Sequence, residues 1–249
     1  MDTVVNHNPP EQASRRLPRH LGIIMDGNGR WAEQRGLSRS AGHKEGAKNF
    51  KRIAKYCNRI GIPYLTVYAF STENWKRPAL EVKMLMLLFK QYLKEALEEF
   101  EKENIRIRFL GDISVFPKDL RKLIVETQEA AKQQTGMVLN LAMNYGGRAE
   151  LVSAMKKVAA EVSAGLLDVA SIDEAVIERH LDTAGQPDPD LIIRPSGEQR
   201  ISNFLLWQSA YSEYLFSNVL WPDFTPEHLE AALEEFSHRN RRFGGVTAK

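Results

Sequence analysis

Residues 20–46 read HLGIIMDGNGRWAEQRGLSRSAGHKEG. The apolar run Leu21–Met25 ends abruptly in Asp26, Gly27, Asn28, Gly29, Arg30 and Trp31, and Arg35, Arg39 and His43 follow at four-residue steps. These residue types suit anion binding. Glycine tolerates positive φ and close backbone approach, and a helix opening near Arg30 would add free N–H groups. Arg30, Arg39 and His43 supply cationic donors, arginine being suited to bidentate phosphate contacts. A bare carboxylate would repel a phosphate there, so Asp26 makes sense as the ligand of a Mg²⁺ that bridges it to the anion.

Two further polar stretches also follow apolar runs. YLTVYAF empties into STENWKR, which carries Ser71, Thr72, Glu73, Asn74, Trp75 and Arg77. LII empties into RPSGEQRIS, where Arg194, Arg200 and Ser202 form a second cationic cluster and imply a second phosphate. Each feature has an ordinary reading in isolation. DGNG is commonly a tight turn; Arg35, Lys44, Lys48 and Lys51 read as solvated charges; Trp31 and Trp75 could be core or rim aromatics; Glu213 in SAYSEYLF could be any strand-edge carboxylate. Convergence of three such loops favours the functional reading. Common alternatives fail: there is no GxxxxGK[ST] or HExxH, GNGRWA lacks the third glycine of GxGxxG, and RPSGE lacks the first glycine of GxSxG. The DDxxD of an all-helical prenyl synthase is also missing.

The elements that must position these loops alternate. Leu21–Met25, Tyr64–Phe70, Ile105–Leu110, Met137–Met143 and Leu191–Ile193 read as strands, and Tyr214–Phe216 more weakly so. Helical patterns cover about 42–60, 78–103, 117–134, 149–164, 173–181 and 226–240. This alternation predicts an α/β fold: a central, mainly parallel six-stranded sheet flanked by helices. Ligands of such sheets bind at the carboxyl ends of the strands, which is where all three loops fall. Within the 78–103 helix, Met84–Phe89 is apolar on every side, and Tyr92, Leu93, Ala96, Leu97 and Phe100 continue one stripe. Such a helix is normally buried, but methionines and leucines beside an anion site could also wall a pocket for a flexible hydrocarbon.

Bulk properties narrow the class. Of 249 residues, 43% are hydrophobic and 27% charged, enough for a sizeable core. A net charge of +2 with no basic tail argues against nucleic-acid binding driven by bulk charge. Cys57, the sole cysteine, excludes an intrachain disulfide and reads as a core residue of a helix. No segment approaches a membrane span, and the polar, proline-bearing N-terminus lacks signal-peptide order. The expectation is a cytoplasmic protein with a mobile arm over residues 1–18 and one domain over 19–249.

The motifs HLGIIMDGNGRWA, YAFSTENWKRP, LNLAMNYGGR, LIIRPSGEQRISNFLLWQSAYSE, LWPDF and RRFGG, in this order, resemble those of the cis-prenyltransferases, most closely the bacterial undecaprenyl diphosphate synthases. The resemblance runs from His20 to Gly245. It implies a Mg²⁺-dependent homodimer with an apolar tunnel, condensing an allylic diphosphate, usually farnesyl, with successive isopentenyl diphosphates to a long-chain product with cis double bonds, a cell-wall lipid carrier. By position, Asp26 resembles the catalytic, metal-engaging carboxylate, and Gly27, Asn28, Gly29, Arg30, Arg39 and His43 the cradle of the allylic diphosphate. Trp31 is similar to a residue flanking that substrate. Ser71, Thr72, Glu73, Trp75 and Arg77 fall in a closing loop, with Asn74 at the proton-acceptor position. Arg194, Arg200, Ile201 and Ser202 resemble the isopentenyl diphosphate site, and Glu213 the second metal carboxylate. Arg242 and Gly244 fit a motif that reaches the neighbouring subunit.

Four residues at three places depart from the pattern of the family that the sequence resembles: Pro195 for Thr, Gln199 for the metal-capable His of some relatives, and Ala149-Glu150 for Trp-Asp. Met137 or Leu139 is expected to floor the tunnel, and transient contact with a membrane surface follows from a lipid product. A non-catalytic prenyl-lipid binder or partner subunit on the same fold is the alternative.

Overall fold

The computed structural model describes residues 16–239. Six strands form one sheet: β1 (His20–Ile24), β2 (Tyr64–Ser71), β3 (Arg106–Leu110), β4 (Val138–Tyr145), β5 (Leu191–Arg194) and β6 (Glu213–Phe216). Their order is β3-β4-β2-β1-β5-β6, and every pairing is parallel. The helices are α1 (Asn28–Glu33), α2 (Arg39–Arg59), α3 (Ala79–Lys102), α4 (Lys118–Ala130), α5 (Gly147–Ser163), α6 (Glu174–Glu178) and α7 (Pro226–His238). Strand–helix alternation thus yields the parallel architecture anticipated from the pattern.

Three helices, α1, α2 and α5, start earlier than periodicity suggests, the first two for a turn or capping reason. Gly27, at φ 103°, turns the chain so that α1 begins at Asn28. Ser38 accepts a hydrogen bond from the Ala41 N–H (3.3 Å), starting α2 at Arg39 rather than Gly42. At the start of the described residues, Leu17 packs on the core and the Arg16 guanidinium lies 5.5 Å from the centre of the Phe236 ring.

Side chains alternate between the two sheet faces. Leu21, Ile23, Leu65, Val67, Leu139, Leu141, Leu191 and Ile193 belong to the main core with Ile53, Cys57, Leu93, Ile124 and Leu233. Cys57 is fully buried, and burial pushes its thiol pKa up, so it is packing rather than chemistry. The other face carries Ile24, Tyr68, Ala142 and Ile192 against Phe204 and Leu205.

A buried polar chain crosses this second face. The Pro187 carbonyl can only accept, so His20 Nδ1 donates to it (2.7 Å) and Nε2 accepts from the Thr66 hydroxyl (2.7 Å). Asn140 donates to Thr66 (2.9 Å) and to Gln186 (2.7 Å). The chain holds His20 neutral, and burial pushes its pKa down to about 4 despite Pro187 and Asp190. Between pH 6.5 and 4 the unfolded chain therefore binds more protons at this site. Stability is fully present above pH 6.5 and falls toward pH 4, by up to about 3 kcal/mol. Urea midpoints across this window are expected to fall for the wild type and to fall less for His20→Gln.

Candidate active site

The sheet brings all three polar loops to its carboxyl edge. Asp26 follows β1, and Arg194 ends the adjacent parallel strand β5. The Arg194 Nη2–Asp26 Oδ2 distance is 2.7 Å, and Arg194 is 4% exposed. Its Nη1 donates to the Arg200 carbonyl and to the Ser202 hydroxyl (2.8 Å). Its Nε is buried with no partner. The other Asp26 oxygen, Oδ1, accepts the Gly27 N–H (2.7 Å), and Arg30 Nη2 stands 3.5 Å from Oδ2. Burial alone would raise the Asp26 pKa; the hydrogen bond and charge of Arg194, with the charge of Arg30, outweigh it and hold the carboxyl below its ordinary value. The loop after β5 is closed on the same cluster, since Arg30 donates to the Ser196 carbonyl (3.1 Å) and pairs with Glu198 (3.3 Å), which also holds Arg200.

The remaining cations approach from α1, α2 and the start of α3. The Asn28, Gly29 and Arg30 N–H groups precede the first intrahelical donor, Trp31, which bonds to the Gly27 carbonyl (2.9 Å). The Arg39 guanidinium lies on Gly29, where any Cβ would stand 3.0 Å from it. Arg39 pairs with Glu33 (3.1 Å) and with Glu81 (3.8 Å), and Arg77 pairs with Glu81 (3.1 Å). Burial, reinforced by Arg77 and Arg39, pushes the His43 pKa down to about 4, and its Nε2 has no partner. A neutral imidazole thus faces the site with one open nitrogen. The Asn28 side-chain oxygen is likewise buried without a partner. It fits against α2 only because residues 42 and 46 are glycines: a Cβ on Gly46 would sit 2.1 Å from it.

Ser71–Arg77 forms a single turn of 3₁₀ helix over 72–76. The Asn74 side-chain oxygen accepts the Ser71 N–H (3.0 Å). That bond uses the amide's carbonyl and leaves its NH₂ as the group available to a ligand.

Below this rim lies a cavity of about 720 Å³. Asp26, Asn28, His43, Asn74, Arg77, Arg194, Arg200 and Ser202 line its mouth. Its walls are apolar: Phe50 from α2; Leu85, Met86, Phe89 and Leu93 from α3; Ile107 from β3; Leu141 and Met143 from β4. The arrangement can hold a strongly anionic head against fixed cations and an apolar tail away from water.

Several anticipated residues sit elsewhere. Trp31 is turned outward, its indole N–H bonded to Asp223 (2.8 Å) and Arg35 stacked on its ring (4.3 Å). Trp75 anchors its loop, donating to Asn144 (2.7 Å) and packing edge-on against Phe70 (5.2 Å). Gly27, Gly29, Thr72 and Ile201 shape the loops without lining the cavity, and Arg30 and Arg39 also stand outside its lining, reaching it through their pairs with Asp26, Glu198 and Glu81. Met137 and Leu139 share a face with Leu141 but lie below the cavity, packed in the core. Glu213 opens β6 opposite Leu191, three rungs before Arg194, and pairs with Arg239 (2.9 Å). Within this chain it does not join Asp26. Arg242 and Gly244 lie outside the described residues.

No group of three or more His, Cys, Asp and Glu among the described residues could hold a metal ion. Asp26 and Glu73 are the carboxylates that line the cavity, and such a set fits Mg²⁺, which commonly takes one or two protein carboxylates and completes its shell with water and phosphate oxygens. Asp26 would hold it, and a protein-caged ion would not fit.

Asn203 went unnoticed in the sequence because nothing about a loop asparagine marks it. In the left-handed region (φ 67°), it donates to Glu73 (3.0 Å), accepts the Arg148 N–H on its side chain (2.9 Å) and accepts the Gly147 N–H on its carbonyl (2.7 Å). It thereby ties together the loops after β2, β4 and β5. Gly146 makes room: a Cβ there would lie 2.5 Å from the Asn203 amide and 2.8 Å from the Thr72 hydroxyl. Trp221, also missed, is buried, bonds to the Gly46 carbonyl (2.8 Å) and lines the cavity. Asn203→Ala is expected to speed hydrogen exchange of the 71–77 amides about tenfold, equivalent to one or two hydrogen bonds, while leaving α7 unchanged. Equal exchange in the two proteins would remove Asn203 from the loop's support.

Comparison with known proteins bears on the family and the fold. The family model described as "Putative undecaprenyl diphosphate synthase" matches residues 24–244. An isoprenyl transferase of Clostridium perfringens is 51% identical over 231 residues, 93% of this chain and 91% of that protein. Lavandulyl diphosphate synthase from Lavandula x intermedia, solved in complex with dimethylallyl diphosphate, superposes with a TM-score of 0.89 at 38% identity, covering 92% of this chain and 99% of that one. A probable undecaprenyl diphosphate synthase from Campylobacter jejuni gives a TM-score of 0.77 at 35% identity, with the same coverage. The chain is a member of the undecaprenyl diphosphate synthase family of prenyltransferases.

Proposed function

We propose that this prenyltransferase condenses isopentenyl diphosphate repeatedly onto an allylic diphosphate, farnesyl diphosphate foremost, to give undecaprenyl diphosphate, the lipid carrier of cell-wall synthesis. The supporting observation is the pair of cations Arg194 and Arg77, with the neutral His43 beside them, lining a cavity whose other walls are largely apolar. Breaking the allylic C–O bond leaves positive charge on carbon and negative charge on the departing diphosphate. Arg30, Arg39, His43 and the first-turn N–H groups of α1 stabilise the leaving group, and Arg194, Arg200 and Ser202 orient the second diphosphate. Mg²⁺ at Asp26 would supply further charge stabilisation of the leaving diphosphate when bound. Removing one such preorganised donor typically costs 10²–10³ in rate. The isopentenyl double bond then attacks the allylic carbon, and a proton leaves to form the new alkene. A neutral amide is a poor proton acceptor, and the Asn74 carbonyl is already bonded. In this reading a diphosphate oxygen takes the proton while the Asn74 NH₂ orients it. The growing chain fills the cavity, since each CH₂ kept from water contributes roughly 0.8 kcal/mol. A cytoplasmic homodimer is the proposed working form.

Incubation with Mg²⁺, farnesyl diphosphate and labelled isopentenyl diphosphate tests this directly. Long-chain product supports elongation. Bound but unreacted substrates support the lipid binder, and phosphate release alone a phosphatase. Arg194→Ala is expected to lower kcat/KM by about 10²–10³. Asn74→Asp and Asn74→Ala should lose comparable activity; full activity in Asn74→Asp with an altered pH profile would restore a side-chain base. Leu141→Ala is expected to lengthen the product distribution, because Leu141 rather than Leu139 bounds the cavity.

A further inference from the structure

The helix that walls the cavity has a second apolar face. Leu80, Met84 and Leu87 are 74%, 39% and 56% exposed. Their spacing of i, i+4 and i+7 makes them one stripe along the outside of α3. Lys83, Lys90 and Lys94 run along one edge of that stripe. Between Ala79 and Lys94 the only carboxylate is Glu81, which turns inward to Arg77 (3.1 Å) and Arg39 (3.8 Å). The acidic residues Glu95, Glu98, Glu99 and Glu101 crowd the last third of the helix. There, Lys51 and Lys55 of α2 hold Glu99. Charge is thus segregated along the helix. Beside it, α4 adds Lys118, Arg121 and Lys122, joined to α3 through the Lys90–Asp119 pair.

We propose that the first two-thirds of the outer face of α3 docks onto the headgroup region of an anionic lipid bilayer. Leucine and methionine would enter the interface, and the lysines would reach anionic headgroups with their stems along the apolar boundary. A second copy of this chain is the less suitable occupant, because a two-fold contact would set lysines against lysines. No helix among the described residues is long and apolar enough to cross a membrane, so the contact is peripheral. On the reading proposed above, docking has a consequence for product release. Leu85, Phe89 and Leu93, on the opposite side of α3, line the cavity. A finished hydrocarbon chain would then be one helix's width from the bilayer.

The test is co-sedimentation of the full chain, without substrate, with vesicles of phosphatidylcholine alone or containing phosphatidylglycerol. Binding to the anionic vesicles should be about tenfold tighter or more, and should weaken with salt. Leu80→Gln/Met84→Gln/Leu87→Gln and Lys83→Glu/Lys94→Glu should each abolish that preference while keeping wild-type melting curves and wild-type turnover in vesicle-free buffer. Equal binding to both vesicle types, undiminished binding by the variants, or a change in oligomeric state in place of vesicle binding would overturn the proposal. Absence of chain elongation in a protein that still binds vesicles would overturn the catalytic reading and leave the docking surface standing.

Discussion

The site rests on the ion pair between Asp26 and Arg194 across two adjacent parallel strands. Each residue alone would be out of place: a half-buried carboxylate at an anion site, and a nearly buried guanidinium at the end of a strand. Parallel pairing of β1 with β5 puts Ile23 beside Ile193, so their strand-end residues meet where the sheet stops. Breaking such a pair by removing one partner is costly, because the other charge stays buried and uncompensated. The pair therefore fixes the geometry of the two loops as well as their charge. Arg194 reaches onward to Ser202 and the Arg200 carbonyl, so one guanidinium sets the course of the whole segment after β5.

Close approach is the second requirement, and it falls to residues without side chains. Three loops cannot converge on one anion if every position carries a Cβ. Gly42 and Gly46 let α1 lie on α2 with Asn28 wedged between them, and Gly146 lets Asn203 and Thr72 meet. Both arrangements place rigid backbone, rather than long flexible side chains, around the anion. Preorganisation of this kind reduces the reorganisation needed at the moment of reaction.

Alternating strands and helices were legible because period-two and period-3.6 apolar patterns are local. The carboxyl-edge rule places Asp26, Asn74, Arg77, Arg194, Arg200 and Ser202 together from the sequence alone, and all six line one cavity. Residues whose function depends on direction were harder. Trp31 lies in the same loop as Asp26, yet it sits on the outer side of a one-and-a-half-turn helix and bonds Asp223, nearly two hundred positions away. Glu213 stands at the start of β6, in register with Leu191 and three rungs before Arg194, a placement that its motif alone does not reveal. Asn203 was invisible for a different reason: its importance lies in a left-handed backbone and in three partners from other loops.

The charge arrangement also bears on which anions the site can accept. Each rim arginine already has a carboxylate: Asp26 for Arg194 and Arg30, Glu81 for Arg39 and Arg77, and Glu198 for Arg30 and Arg200. These pairs hold the cations in place without a ligand and prevent the mutual repulsion of bare guanidinium groups. An entering anion must therefore compete with carboxylates already in position. A single weakly charged group replaces one partner at a time and gains little. A diphosphate presents several charged oxygens at once and can take over multiple forks together, each as a charge-assisted hydrogen bond. His43 complements this exchange because it is neutral: it offers its open nitrogen without adding a cation that would require yet another carboxylate. On the proposed function, preference for a diphosphate over monoanions would rest on the internal ion pairs as much as on the cations themselves.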